Sequence, residues 1–224
     1  NYKEEIEQAI KQSKIETKEV FYYDTDPTKL TSQIEKITKY YQRKQNLEKE
    51  IKRLKSSSEI NKERKIKELK KQDTFGMIEF DSIIIADFDE SLKSITTSLL
   101  YTDVSPKKIY FIALNQWFDE SLLKETNLQP IYFPSINKKN YDQFTKTYYE
   151  TFNEYPNQLS FLSYDLVGLV YYLVLQNNLI INKKMFLKKN MFKGKMGIFE
   201  VKDNKISHTL NFYKAEDNNF KKIF

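Results

Sequence analysis

The sequence predicts an α/β protein built on a parallel sheet. Three observations predict it. The run Phe80 to Phe88 holds Ile83, Ile84 and Ile85 almost without interruption, as a central strand buried on both faces would. Two further apolar runs follow, Lys108 to Leu114 and Pro130 to Phe133. Between them lie helical patterns at Asp89 to Leu100 and Asp119 to Thr126, so strand and helix alternate at the short intervals of βαβ units.

Taken in order, Tyr2 to Lys14 places Ile6 and Ile10 on one helical face. Glu19 to Tyr23 reads as a strand. Asp26 followed by Pro27 makes a helix start for Thr28 to Tyr41, because proline at the first helical position loses no hydrogen bond. That helix runs on into a charged segment. Leu47, Ile51 and Leu54, then Ile66 and Leu69, recur at helical spacing, and Ser56 to Ser58 break the segment into a helical hairpin over 42–72. Its apolar stripe is narrow, so the hairpin is expected to project and to be mobile. After Pro130 to Phe133 come an aromatic-rich helix, Asn137 to Asn153, and an apolar helix, Gln158 to Gln176. The tail shows two β-like runs, Gly197 to Val201 and Ser207 to Tyr213, turned by Asp203, Asn204 and Lys205 into a hairpin.

Composition narrows the chemistry. With no cysteine and a single histidine, His208, the 224 residues exclude disulfide scaffolds, thiol catalysis and cysteine-based zinc sites. With four glycines no phosphate-binding loop can be assembled, and the acidic residues show no metal-ligand spacing. No cofactor, metal or catalytic residue is therefore expected. The net charge of +6 is local: residues 40–72 hold twelve Lys/Arg against five acids, or +7, and 6 − 7 leaves −1 elsewhere. All three arginines, the residues suited to bidentate phosphate contacts, lie in that segment. Solvated helix faces, with pairs such as Glu63 and Lys67, explain the run better than nucleic acid does.

Certain residues carry a resemblance: Phe80-Asp81-Ser82-Ile83-Ile84-Ile85-Ala86-Asp87, the helix from Phe144 to Tyr155-Pro156, Ser163-Tyr164-Asp165-Leu166-Val167, and Phe192-Lys193-Gly194-Lys195-Met196-Gly197-Ile198-Phe199. With this order of elements the chain resembles the type I periplasmic-binding-protein fold of the leucine-binding and receptor ligand-binding families. Three features look most like the proteobacterial penicillin-binding protein activators: the charged insertion, Leu114-Asn115-Gln116-Trp117 before an acidic short helix, and the Gly-x-x-Gly hairpin. The resemblance implies a parallel-sheet sandwich with a helical-hairpin insertion and a C-terminal β-hairpin. It implies a second lobe at 1–131, and segments at 132–224 that return to an N-terminal lobe; that lobe, or a second copy, would cover helices 137–176. It also implies a non-catalytic protein of the periplasm or the outer-membrane-associated envelope, regulating a peptidoglycan synthase through protein contacts. The alternative is a receptor for an amino acid or similar small polar ligand of an ABC transporter. The start at Asn1 without a signal-peptide pattern reads as a processed product or a piece of a longer chain. No transmembrane span is expected, because Leu159 to Leu175 is interrupted by Ser160, Ser163, Asp165 and Gly168.

Ligands of open α/β sheets gather beyond the C-terminal strand ends. Asp87, Phe88, Asn115, Gln116 and Trp117 are thus the candidate ligand-binding residues. Asp89 is more simply a helix cap, and Trp117 serves equally as a ligand platform or as packing. Asp165, within an apolar helix, calls for hydrogen-bonding partners, and His208 reads as an exposed strand residue.

Overall fold

A computed structural model describes residues 2–13, 15–24, 26–114, 117–187, 190–202 and 205–224. The protein is mixed α/β and divides into two compact units, 1–83 with 89–109, and 84–88 with 110–224.

The first unit is mainly helical. Helix α1 spans Tyr2–Gln12. The expected strand Glu19 to Tyr23 does not form: residues 15–24 are irregular, with Val20, Phe21 and Tyr22 exposed. A β-prone sequence without a neighbouring strand has no ladder to satisfy its backbone. Helix α2, Pro27–Ile37, starts as its sequence dictates, the Asp26 side chain accepting from the Thr28 and Lys29 amides. It stops earlier than expected. Lys39 takes φ 51°, and α3 restarts at Tyr40 to run to Ser56. The serine break is followed by α4, Lys62–Leu69, so the helical hairpin is present. Its stripe holds more than its width suggests, for Leu47, Leu54 and Leu69 form a small core of their own with Ile51 and Ile66 against it. Helix α5, Asp89–Tyr101, buries Leu92, Ile95, Thr96 and Leu99, one face at helical spacing, and α2 packs on it.

Arg43 organises this unit. Only 4% exposed, it donates from Nε to the Thr38 carbonyl (2.8 Å), and from its two terminal nitrogens to Thr74 Oγ1 (2.9 Å) and the Thr102 carbonyl (2.5 Å). The Thr74 hydroxyl in turn donates to Asp103 Oδ2 (2.7 Å). Burial lowers the guanidinium pKa, and Asp103 opposes that shift. One of the three arginines of the charged run is thus an interior tie rather than a solvated charge.

The second unit carries a five-stranded sheet in the order β1 (Ser82–Ile85), β2 (Tyr110–Ala113), β3 (Ile131–Ser135), β7 (Asn211–Glu216), β8 (Asn219–Lys222). β2 and β3 are parallel; β7 and β8 extend the sheet antiparallel. β1 is shorter than expected and stands at the edge, with Ile84 48% exposed, rather than centrally with both faces buried. A separate three-stranded antiparallel sheet consists of β4 (Asn190–Lys193), β5 (Ile198–Lys202) and β6 (Lys205–Thr209). The expected run Ser207 to Tyr213 is therefore split between two sheets, while β5 and β6 do form a hairpin. Its turn residues Asp203 and Asn204 lie outside the described residues. A further hairpin, β7–β8, turns on Asp217 and Asn218, both at positive φ, a two-residue loop suited to those residue types.

Among the described residues three α-helices complete this unit. The short α6 is Ser121–Lys124. Helix α7, Lys138–Phe152, is bounded by Asn137, which caps the Asn140 amide, and by Asn153 in the left-handed conformation. Its Lys138 amide donates to the Tyr213 hydroxyl of β7 (3.0 Å). Helix α8, Gln158–Gln176, begins at the Asn157 cap.

Candidate functional site

Burial decides what α7 and α8 offer. α7 buries none of its residues fully, and α8 buries Phe161, Asp165, Leu169 and Leu173 along one face only. Phe161 reaches into an aromatic array: its ring stacks on Tyr141 at 5.0 Å and meets Phe144 at 4.6 Å, while Phe118 joins Tyr141 to Phe133, Tyr213 and Phe220 of the sheet. Burial raises the Tyr141 hydroxyl pKa. Leu169 and Leu173 pack on Met185 and Val201. On the outer side Leu159, Leu162, Leu166, Val167, Tyr171 and Leu175 are 44–70% exposed. Their steps of 3, 4, 1, 4 and 4 residues place them in two adjoining rows, 159/162/166 and 167/171/175, with no charged residue among them. α8 is, among the described residues, the helix long and apolar enough to cross a membrane by length and composition.

Asp165 is held by the partners its burial requires. Its Oδ1 accepts from the Lys195 amide (2.8 Å) and its Oδ2 from the Met196 amide (2.7 Å), at 3% exposure. A Cβ at Gly194 would lie 2.3 Å from Oδ2, so glycine is what allows the approach. The glycine-rich turn and the apolar helix therefore serve one contact. The sequence shows both pieces but not their pairing across 30 residues.

His208 is not the exposed residue expected. Its ring is half-buried, stacked on Phe199 at 4.2 Å, and its Nε2 is buried with no hydrogen-bond partner. A Cβ at Gly197 would meet Nε2 at 2.6 Å. Burial lowers the His208 pKa, against the raising influence of the Met196 backbone and Asp165. The folded state thus favours neutral imidazole. As pH falls through the ordinary histidine value of about 6.5, the unfolded chain takes up the proton first and stability is lost, until His208 protonates in the fold as well. Urea midpoints are expected to fall between pH 7.5 and 5.5, and the fall to shrink in His208→Gln. Because His208 is the only histidine, an unchanged slope in that variant would remove it as the cause.

The sequence-predicted ligand residues that the structure describes, Asp87, Phe88 and Trp117, follow the ends of β1 and β2. Asp87 and Phe88 follow β1: Asp87 Oδ1 accepts from the Phe88 amide (2.8 Å), and the Phe88 ring is 44% exposed. Asn115 and Gln116 lie outside the described residues. Trp117, after β2, is half-buried with its ring 5.5 Å from Phe161. Non-glycine residues at positive φ follow both strands, namely Asp89 at 47°, Trp117 at 48° and Phe118 at 58°. For bulky residues that conformation costs on the order of 1–3 kcal/mol each and persists only where packing enforces it. Here it sends Phe118 into the aromatic array. Asp89 is the exposed first residue of α5.

A cavity of about 170 Å³ in the first unit is lined by Lys39, Gln42, Arg43, Asn46, Gly76 and Glu79, among others. Its charged groups are engaged: Lys39 pairs with Glu79, and Arg43 with the acceptors above. Among the described residues no group of three or more His, Asp or Glu could hold a metal ion. Compared with known proteins, the chain matches no family model and no curated protein.

Proposed function

We propose that the protein is a non-catalytic binding module of the cell envelope, with the type I periplasmic-binding-protein architecture, that regulates a peptidoglycan synthase through protein contacts. The outer faces of α7 and α8 carry this reading. A packed α/β unit that leaves six large uncharged apolar side chains open along one helix presents a contact surface, since such patches mark interaction sites. A second lobe or a second copy would be held by the same face.

The test is glycan polymerisation by a purified bifunctional peptidoglycan synthase, with and without the full chain. Stimulation is expected. It should fall at least about tenfold in Leu162→Asp/Leu166→Asp, since two charges buried in an apolar interface cost several kcal/mol. Both residues are exposed in the monomer, so the fold should survive the change. Equal stimulation by the variant, or none by the wild type, overturns the proposal.

A receptor for a small polar ligand is favoured by one observation, the strained loop that fixes Trp117 beyond a strand end. Calorimetry with an amino-acid panel separates the two readings. Micromolar binding with a negative heat-capacity change, lost in Trp117→Ala, supports the receptor.

A further inference from the structure

The turn that follows α8 is built to present aliphatic side chains to solvent. Asn178 and Leu179 take φ 53° and 63°, and the Leu179 amide donates to the Val174 carbonyl (2.9 Å), closing the helix and swinging the chain outward. A leucine at that φ is strained. The result is three successive exposed residues, Leu179, Ile180 and Ile181, at 70%, 59% and 76%. Lys183 and Lys184 come next, both exposed and without an ion pair among the described residues. The sequence around them is one-sided in charge: residues 166–199 contain six lysines and no acid.

We propose that this turn, with Lys183 and Lys184, is a docking tip for an anionic lipid surface. The aliphatic side chains enter the boundary between headgroups and acyl chains, and the ammonium groups pair with lipid phosphates. Neither half of the feature needs a membrane alone. Exposed lysines alone are ordinary surface charge, and surface charge calls for no exposed isoleucines. Exposed aliphatic residues suit a protein interface, but a second copy meeting tip to tip would bring four lysines together with no acid between them. A surface that is apolar beneath and negative above satisfies both halves at once. The inference does not rest on regulation of a synthase, since it concerns the turn rather than the outer face of α8.

The experiment is co-sedimentation of the full chain with phosphatidylcholine vesicles, with and without about 30% phosphatidylglycerol. Binding is expected to the anionic vesicles, weakened by high salt. Ile180→Asp/Ile181→Asp and Lys183→Glu/Lys184→Glu are each expected to lower it at least about tenfold. Unchanged circular dichroism and thermal midpoints would show that the variants fold. Equal binding to neutral and anionic vesicles, or equal binding by the variants, overturns the proposal. So does a wild type that binds no vesicles. If that wild type forms a dimer by sedimentation velocity that Ile180→Asp/Ile181→Asp abolishes, the tip belongs to a second copy instead.

Discussion

Replacement of Arg43 by alanine is expected to destabilise the first unit by about 3–5 kcal/mol, the sum of unpaired buried acceptors and the void left behind. The Thr38 carbonyl, Thr74 Oγ1 and the Thr102 carbonyl would each lose a buried donor, and Thr74 would keep only its bond to Asp103. Arg43→Lys should recover little. One ammonium on a flexible stem cannot reach three acceptors set around a planar fork. Arg43→Met should do slightly better in packing, but leaves the same acceptors bare. Hydrogen exchange reports the loss locally, because the Phe75 amide donates to the Arg43 carbonyl (3.0 Å) and should exchange faster in all three variants. A stability within about 0.5 kcal/mol of wild type would show that the three bonds are replaced by water at little cost.

The second large effect is expected at Asp165 and Gly194, and its sign of coupling is the informative part. Asp165→Ala removes two short charge-assisted hydrogen bonds and strands the Lys195 and Met196 amides, a loss of about 3 kcal/mol. Gly194→Ala places a methyl group 2.3 Å from the carboxylate and must displace either the side chain or the turn. Because both changes break one contact, the double variant should cost distinctly less than the sum of the singles. Strict additivity would mean that the turn and the helix are not joined through this carboxylate. Asp165→Asn should remain destabilising, since one amide would face a donor rather than an acceptor. Thermal unfolding followed in the near-ultraviolet, where the aromatic array around Phe161 contributes, reads the second unit.

The site was partly legible in the sequence. The cost of burying a carboxylate in an apolar helix foretold that Asp165 needs hydrogen bonds, though not which amides supply them. Of the residues chosen after the two strand ends, Trp117 takes a positive φ, as do Asp89 and Phe118, which adjoin chosen positions. Positive φ at Trp or Phe leaves no trace in residue type, so that strain was invisible beforehand. Asn178 could have signalled the turn beyond α8. Asn tolerates the left-handed region, and a run of Leu and two Ile followed by two Lys has no core to enter there. The packing of His208 on Phe199 was missed because a strand residue's neighbour across the hairpin depends on register.

Local sequence determined most of the helices and several of their ends, though not the break at Lys39 that divides α2 from α3. Asn137, Asn153 and Asn157 fix α7 and α8 within a residue of expectation, Asp26 and Pro27 start α2, and the serine run opens the charged hairpin. These are local interactions: a capping side chain reaches three residues along its own chain. The tertiary structure alone decided the rest. It left Glu19 to Tyr23 irregular, put β1 at an edge, drew β7 away from β6 into the larger sheet beside β3, and buried Arg43 among acceptors up to 59 residues distant. A strand is completed by its neighbour's backbone and a buried charge by its partners. Both arrive from distant parts of the chain, and no local spacing carries them.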